Sequence, residues 1–180
     1  MSLWRAYLDD LLFSFRKQKE MAEQAFRQVD DTAFFRKPAE YSNSIAIILK
    51  HIAGNLRSRW TDFLTSDGEK PDRNRDSEFE EPPDTRAELM KLWNDGWSRV
   101  FAALEPLSDS ALERKVFIRG EAHSVMQAIN RQIAHYAYHC GQIVFLAKHF
   151  KGGEWKSLSV PRNRSADFNR KVLAGEASQR

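Results

Sequence analysis

The longest helical pattern of this chain is SVMQAINRQIAHYAYHCGQIVFLAKHF, residues 124–150, around which the other segments can be placed. It opens with a capping box, in which Ser124 and Gln127 stand three residues apart, and a pair of glycines follows its end. Its apolar residues recur at steps of three and four, the spacing that places them on one face of an α-helix. The stretch therefore predicts a long helix that ends near Phe150 and buries one face in a core.

Two histidines of this predicted helix, His135 and His139, lie four residues apart and so share one face. At 100° per residue, they fall with Gln132 and Gln142 within an arc of about 80° that borders the apolar face. A buried polar row needs partners, because each unpaired group costs on the order of 1 to 3 kcal/mol. One metal ion can serve both imidazoles, and the two glutamines are candidates for orienting ligands or substrate.

A third ligand is offered by His51, in ILKHIAGN at residues 48–55, which lies beside the apolar stripe of a second predicted helix. If the two helices are neighbours, His51 faces the HxxxH pair across the core. Three neutral imidazoles leave coordination positions open, as in a catalytic site. The alternative is a set of core histidines that hydrogen-bond to tyrosine, glutamine or backbone groups, because HxxxH alone is a weak motif. The metalloprotease motif HExxH is absent, because Tyr136 follows His135.

Three further segments show helical periodicity. The first covers about residues 3–29, the second runs from the cap cluster at 42–44 to near 66–68, and the third runs from Thr85 to Pro106. The third is predicted to bury a stripe formed by Leu89, Leu92, Trp93, Trp97, Val100 and Leu104. The chain is therefore expected to be all-α, as a four-helix bundle.

The connections complete this organisation. SDGEKPDRNRDSEFEEPPD, residues 66–84, is polar, contains three prolines and predicts a long crossover loop, either a functional lid or a disordered segment. KVFIRGEAHSV, residues 115–125, alternates weakly around a glycine and is consistent with a small extended turn. We expect one bundle domain over residues 1–152. Residues 153–180 should form an irregular tail that packs in part on the same domain.

Composition limits the function classes. The net charge of +3 comes from the C-terminal end, because residues 148–180 carry eight basic and three acidic side chains. The rest of the chain carries 20 basic and 22 acidic side chains, so nucleic-acid binding is not favoured. No apolar run approaches the roughly 20 residues that span a bilayer, and the single Cys140 cannot form an internal disulfide. These features predict a cytoplasmic protein that does not enter the membrane.

Other candidate residues have simpler interpretations. Cys140 points about 100° away from His139 and is expected to be a small buried apolar residue. His123 precedes the long helix, and His149 lies in its last turn, where an imidazolium complements the helix dipole. The tryptophans are interpreted as core residues.

The chain resembles the DinB/YfiT-like superfamily of metal-binding four-helix bundles, and in particular its subfamilies of unknown function. The resemblance covers most of the chain and rests on LKHIAGNLRSRWTDFLTSDGEKPDRNRDSEF (49–79), HYAYHCGQIVFLAK (135–148) and WKSLSVPRNRSADFN (155–169). It implies that His51, His135 and His139 bind one divalent ion of zinc, nickel or iron. It also implies a homodimer.

The best understood members of this superfamily resemble transferases and isomerases that use low-molecular-weight thiols. The resemblance therefore implies a metal-dependent S-transferase or isomerase that acts on a small electrophile. Two alternatives remain open at this stage. The first is metal-assisted hydrolysis, since an open position on a cation also lowers the pKa of bound water. The second is a non-catalytic, metal-stabilised dimeric bundle that binds a ligand or functions in a stress response.

Overall fold

Four long helices form the core of the chain, whose computed structural model describes residues 2–178. In chain order the helices are α1 (Leu3–Phe26), the short α2 (Asp31–Phe35), α3 (Ile45–Trp60), α4 (Arg86–Leu104), α5 (Val125–Lys151) and α6 (Ser165–Leu173). Helix α3 packs along α4 and α1 packs along α5, while α3 also contacts α5 and α1 contacts α4. The prediction of a mainly helical protein is confirmed.

An aromatic cluster fills the centre of this core. The Phe15 ring packs against Trp60, Trp97 and Tyr136 with ring centroids 5.9 to 6.3 Å apart. Tyr136 is fully buried, and its hydroxyl donates to Asn55 Oδ1 at 3.0 Å while it accepts from Trp60 Nε1 at 2.9 Å. Each large apolar side chain buried in this way contributes about 1.5 to 3 kcal/mol. The cluster therefore fixes α3 against α5 and sets their distance next to the histidines.

The long helices begin where the sequence predicts caps. Ser124 Oγ accepts from Gln127 N at 3.1 Å and Gln127 Oε1 accepts from Ser124 N at 2.8 Å, which completes the capping box of α5. Ser44 Oγ accepts from Ile47 N in the same way at the start of α3. The caps fix the register in which His51, His135 and His139 face the bundle interior.

Three of the predicted helices differ in detail from those in the structure. The second was expected to continue to about residues 66–68, but α3 ends at Trp60 because Thr61 is extended and Asp62 has a positive φ of 50°. Phe63 therefore lies in a turn. In α4, Leu92 was assigned to the buried stripe but is 47% exposed, since it lies at the edge of the face that contacts α3. The first helix ends at Phe26, three residues earlier than expected.

The connections contain more regular structure than expected. Strands β1 (Lys115–Ile118) and β2 (Glu121–Ser124) form an antiparallel hairpin where a small extended turn was predicted, so the fold is mainly helical with a small sheet and not strictly all-α. The predicted irregular tail contains α6, whose apolar side chains at Phe168 and Val172 are half-buried and too few to be recognised as a core helix. Part of the tail packs on the domain, because the backbone of Lys156 forms hydrogen bonds with Gln28.

The crossover segment 66–84 is a loop that contains one 3-10 helix, Asp76–Phe79. It is anchored at both ends of that helix, because Lys50 Nζ donates to the carbonyls of Ser77 and Glu81. Glu78 is buried, although the surrounding sequence is polar and solvent-seeking. No helix within residues 2–178 is both long and apolar enough to cross a membrane.

Candidate metal centre

Three histidines meet where α3 passes α5. The Nε2 atom of His135 lies 3.2 Å from Nε2 of His51 and 3.1 Å from Nε2 of His139. One ring nitrogen from each of the three lies within 4.8 Å of the others. His51 and His139 are 3% and 8% exposed, and His135 is half-buried. The structure thus brings together the three residues that the sequence singled out, in an arrangement that could hold a metal ion.

The ring of His51 is oriented from the crossover loop. Its Nδ1 atom lies 2.8 Å from Glu78 Oε2, and a carboxylate in this position accepts the proton of Nδ1. The ring of Phe79 packs against the His51 ring, with centroids 4.5 Å apart and planes at 31°. These two contacts leave the Nε2 lone pair of His51 directed at the other histidines.

The α5 histidines are supported differently. Nδ1 of His139 lies 2.8 Å from Gln142 Oε1, an acceptor one helical turn away. This contact also assigns the proton to Nδ1 and leaves a lone pair on Nε2. His135 Nδ1 is buried and has no hydrogen-bond partner among the described residues. His51 and His139 therefore both direct lone pairs at His135, whose single ring proton can satisfy only one of them.

This donor set fits a divalent cation. Two imidazoles bound to one tetrahedral zinc ion at about 2.0 to 2.1 Å have their nitrogens about 3.3 Å apart. The observed separations of 3.1 and 3.2 Å are close to that value. A cation would also bind both of the converging lone pairs, whereas one ring proton can form a hydrogen bond with only one of them. Zinc, nickel and iron all accept such a site, so the geometry does not select among them.

Electrostatics keep His135 and His139 in the neutral form that metal binding requires. Burial, together with the charges of His139 and His51, lowers the pKa of His135 to about 3. Burial also lowers the pKa of His139; the Gln142 hydrogen bond opposes this shift, while the charges of His51 and Arg75 add to it. Neutral imidazoles are ready to bind a cation at neutral pH, because no proton must first leave.

A buried ion-pair network lies behind the Glu78 carboxylate. Arg73 Nε donates to Glu78 Oε1 at 2.8 Å, and Arg73 Nη1 lies 3.2 Å from Glu69 Oε2. Arg59 pairs with the same Glu69 at 3.0 Å. Burial acts to raise the pKa of Glu78, but the hydrogen bonds from His51 and Arg73 outweigh it and lower that pKa. Glu78 is therefore an anion that can polarise His51.

Sequence reasoning did not find Glu78, Arg73 or Phe79 as parts of the site. All three lie in the segment that the sequence describes only as a polar loop. The available signal was weak: one phenylalanine and an arginine–glutamate pair five residues apart within a charged stretch. Nothing local distinguishes Glu78 from the exposed Glu80 and Glu81 that follow it.

The two predicted orienting glutamines have different positions. Gln142 contacts His139, as described above. Gln132 forms no hydrogen bond with any of the three histidines in the described part of the chain, and its Oε1 is buried without a partner. It lines a small cavity with Arg59 and Val116 beside the hairpin. Gln132 is only three residues from His135, the same spacing as Gln142 from His139, but its side chain lines this cavity and does not hydrogen-bond to the His135 ring.

The residues expected to be outside the site remain outside it. Cys140 is fully buried, and burial raises the pKa of its thiol to about 12, which leaves it protonated and unreactive. His149 is exposed at the end of α5, where its ring packs against Phe145 and Phe150. His123 is half-buried in β2 and lies beside the carbonyl of Glu121.

A groove of about 550 Å³ borders the site on the α5 side. Its lining includes Gln142 and the exposed rings of Tyr41, Tyr138 and Phe145. The Tyr138 ring lies 5.0 Å from the His139 ring. An apolar group bound in this groove would therefore lie beside the His139 ligand and its Gln142 partner.

Comparison with known proteins gives one match. The model of a family described as proteins of unknown function, DUF1572, matches residues 2–164. No curated protein and no solved structure matches the chain significantly. The matched range contains all three histidines and the whole crossover loop.

Proposed function

The chain belongs to the DUF1572 family of proteins of unknown function, and from its histidine site we propose that it is a divalent-metal-dependent S-transferase. It would transfer a low-molecular-weight thiol to a small electrophile, or isomerise such a substrate through the thiol. The observation that carries this proposal is the convergence of three imidazoles, two of them with a ring nitrogen held by Glu78 and Gln142 so that Nε2 faces the others.

The proposed metal ligands are His51, His135 and His139. Three protein ligands are fewer than a closed structural zinc site uses, which leaves room for a substrate atom. A divalent ion bound there supplies a positive centre that keeps a thiol deprotonated near neutral pH. Glu78 and Gln142 hold the rings in place, and the aromatic groove beside Gln142 is suited to the carbon skeleton of an electrophile.

The resemblance to the DinB/YfiT-like superfamily supports the same proposal. On the basis of this resemblance, the proposal also includes a four-helix bundle of that type and a homodimer that acts on a small-molecule substrate. The packing of α1, α3, α4 and α5 around one core is compatible with such a bundle. The resemblance assigns no residue to thiol binding, so the identity of the thiol depends on screening.

The first test is elemental analysis of untagged protein that has been purified without chelator. We expect near one divalent ion per chain in the wild type and a loss of that ion in His51→Ala and His139→Ala. His149→Ala is the matched control, because that histidine is exposed on α5 and outside the cluster. A wild type that takes up neither zinc, nickel nor iron would refute the metal site.

The second test is turnover of metal-loaded protein with a panel of thiols and electrophiles. Thiol-dependent consumption of an electrophile that disappears in His139→Ala supports the S-transferase. Metal binding without turnover, with a lower melting temperature in His139→Ala, would instead support the non-catalytic bundle. Thiol-independent hydrolysis with a metal-dependent ionisation in its pH-rate profile would favour the hydrolase.

A further inference from the structure

We infer that Arg75 is a specificity-determining residue that binds a carboxylate on the thiol or electrophile at the histidine site. This inference rests on the proposed function and adds to it a substrate class: small thiols or electrophiles that carry a carboxylate near the reacting atom. Arg75 is exposed and immediately precedes the 3-10 helix Asp76–Phe79.

The position of Arg75 is defined by two stacked contacts. Its guanidinium carbon lies 5.1 Å from the centre of the Phe79 ring, and that ring lies 4.5 Å from the centre of the His51 ring. The guanidinium carbon is therefore at most 9.6 Å from the centre of the His51 imidazole.

The backbone that carries Arg75 is held in place. Ser77 N donates to Asn74 Oδ1 at 3.1 Å and Ser77 Oγ donates to the Asn74 carbonyl at 2.9 Å. Lys50 anchors the same turn through the carbonyls of Ser77 and Glu81. A cation on a fixed backbone binds a ligand at a lower entropic cost than a mobile cation, because less of the chain must be ordered when the ligand binds.

Arg75 differs from the neighbouring arginine in its partners. Arg73 is committed to Glu78 and Glu69, whereas Arg75 stacks on Phe79 and forms no ion pair with any carboxylate in residues 2–178. Its exposed guanidinium therefore offers a planar donor pair that matches a carboxylate.

The test uses cobalt-loaded full-length protein and a pair of thiols that differ at one group, mercaptoacetate and mercaptoacetamide. Binding is followed by the sulfur-to-cobalt charge-transfer absorption, which does not depend on turnover. The quantity compared is the ratio of the two Kd values in each protein, so that intrinsic differences between the thiols cancel. We expect this ratio to favour mercaptoacetate about tenfold more in the wild type than in Arg75→Gln.

Two further variants complete the design. Arg75→Lys keeps the charge without the planar donor pair and is expected to retain part of the preference. Arg36→Gln is the matched control, because Arg36 also stacks on an aromatic ring, Phe150, three turns along α5 from His139. It should leave the ratio unchanged.

The outcomes separate this inference from the proposed function. Equal ratios in the wild type and Arg75→Gln would overturn the inference, because the carboxylate would then bind the cation or solvent alone. In that case cobalt and thiol binding would still support the metal site. A wild type that binds neither cobalt nor any of zinc, nickel and iron would overturn both proposals. A change in the ratio for Arg36→Gln as large as that for Arg75→Gln would also overturn the inference.

Discussion

The two halves of the candidate metal centre are held in different ways. In the α5 half, His139 is oriented by Gln142, three residues along the same helix and half-buried. In the α3 half, His51 is oriented by Glu78, which lies 27 residues away, is buried and arrives from a loop. The α5 half is therefore defined by one helix, whereas the α3 half depends on a network of charges brought together by folding.

This contrast implies different sensitivities. Helical spacing keeps His135 and His139 on one face as long as α5 is formed. The position of the His51 ring depends on Glu78, which is fixed in turn by Arg73. Removing one partner from a buried ion pair is costly, because the remaining charge stays buried without compensation. Damage to the α3 half should thus affect both stability and metal binding.

The largest effect is expected for Glu78→Ala. It should lower the free energy of unfolding by about 3 kcal/mol, because Arg73 keeps only its contact with Glu69. It should also weaken metal binding by roughly 10- to 100-fold, since the His51 ring loses its acceptor. Denaturant titration of the metal-free protein and competition with a zinc chelator measure the two effects.

Gln142→Ala is the matched variant in the α5 half. We expect little change in the free energy of unfolding and a loss of metal affinity of about tenfold or less, because water can replace a half-buried amide. If the two alanine variants had equal effects on stability, the proposed difference between the halves would be wrong.

The pH dependence of the metal-free protein should separate the halves. The folded-state pKa values of His135 and His139 lie below their ordinary value of 6.5, so the unfolded chain binds more protons as the pH falls. Stability should therefore decrease below pH 6.5, by about 1.4 kcal/mol per pH unit for His135 down to its pKa of about 3, and His139 should add to the decrease.

Glu78 contributes to the pH dependence of stability at lower pH. Its folded-state pKa lies below the ordinary value of 4.5, so the stability that it contributes is present above 4.5 and is lost as the pH falls below that value. Thermal unfolding between pH 7 and pH 4.5 therefore reports mainly on the α5 half. A His135→Asn variant should have a shallower slope in this range, and an unchanged slope would contradict the assignment.

Gly54→Ala should disturb the α3 half without removing any of its polar groups. A Cβ atom at position 54 would lie 2.8 Å from Cδ of Glu78, a side chain that Arg73 and His51 hold in place. We expect a loss of about 1 to 3 kcal/mol from this overpacking, together with weaker metal binding. Thermal unfolding and zinc competition measure the two. An increase in stability would indicate that Glu78 moves freely.

The smallest effect on metal binding is expected for the matched glycine in the α5 half. Gly141 lies in α5, and a Cβ atom there would meet no atom within 4 Å. Gly141→Ala should therefore raise the free energy of unfolding by about 0.5 to 1 kcal/mol through helix propensity alone, with metal affinity unchanged. A loss of stability in denaturant titration would show that the groove beside Gln142 is more closely packed than the structure indicates.

Local sequence patterns determined the helices and the three histidines. Periodic apolar residues and the cap at Ser124 define α5, because helix spacing and capping depend on residues within a few positions of each other. The same spacing placed His135 and His139 on one face and His51 beside the stripe of α3. The pattern predicted that α3 continues beyond Trp60, because a turn residue with positive φ does not interrupt the spacing of the apolar residues.

Only the tertiary structure decided how the site is supported. Glu78, Phe79 and Arg75 lie in a polar segment whose composition is that of any solvated loop. Their placement follows from packing of the loop against α3 and from the ion pairs of Arg73, contacts between residues far apart in sequence or in a nonrepetitive loop. The different roles of Gln142 and Gln132 likewise required the neighbouring elements, because each glutamine is three residues from a histidine but Gln132 lines the cavity beside the hairpin.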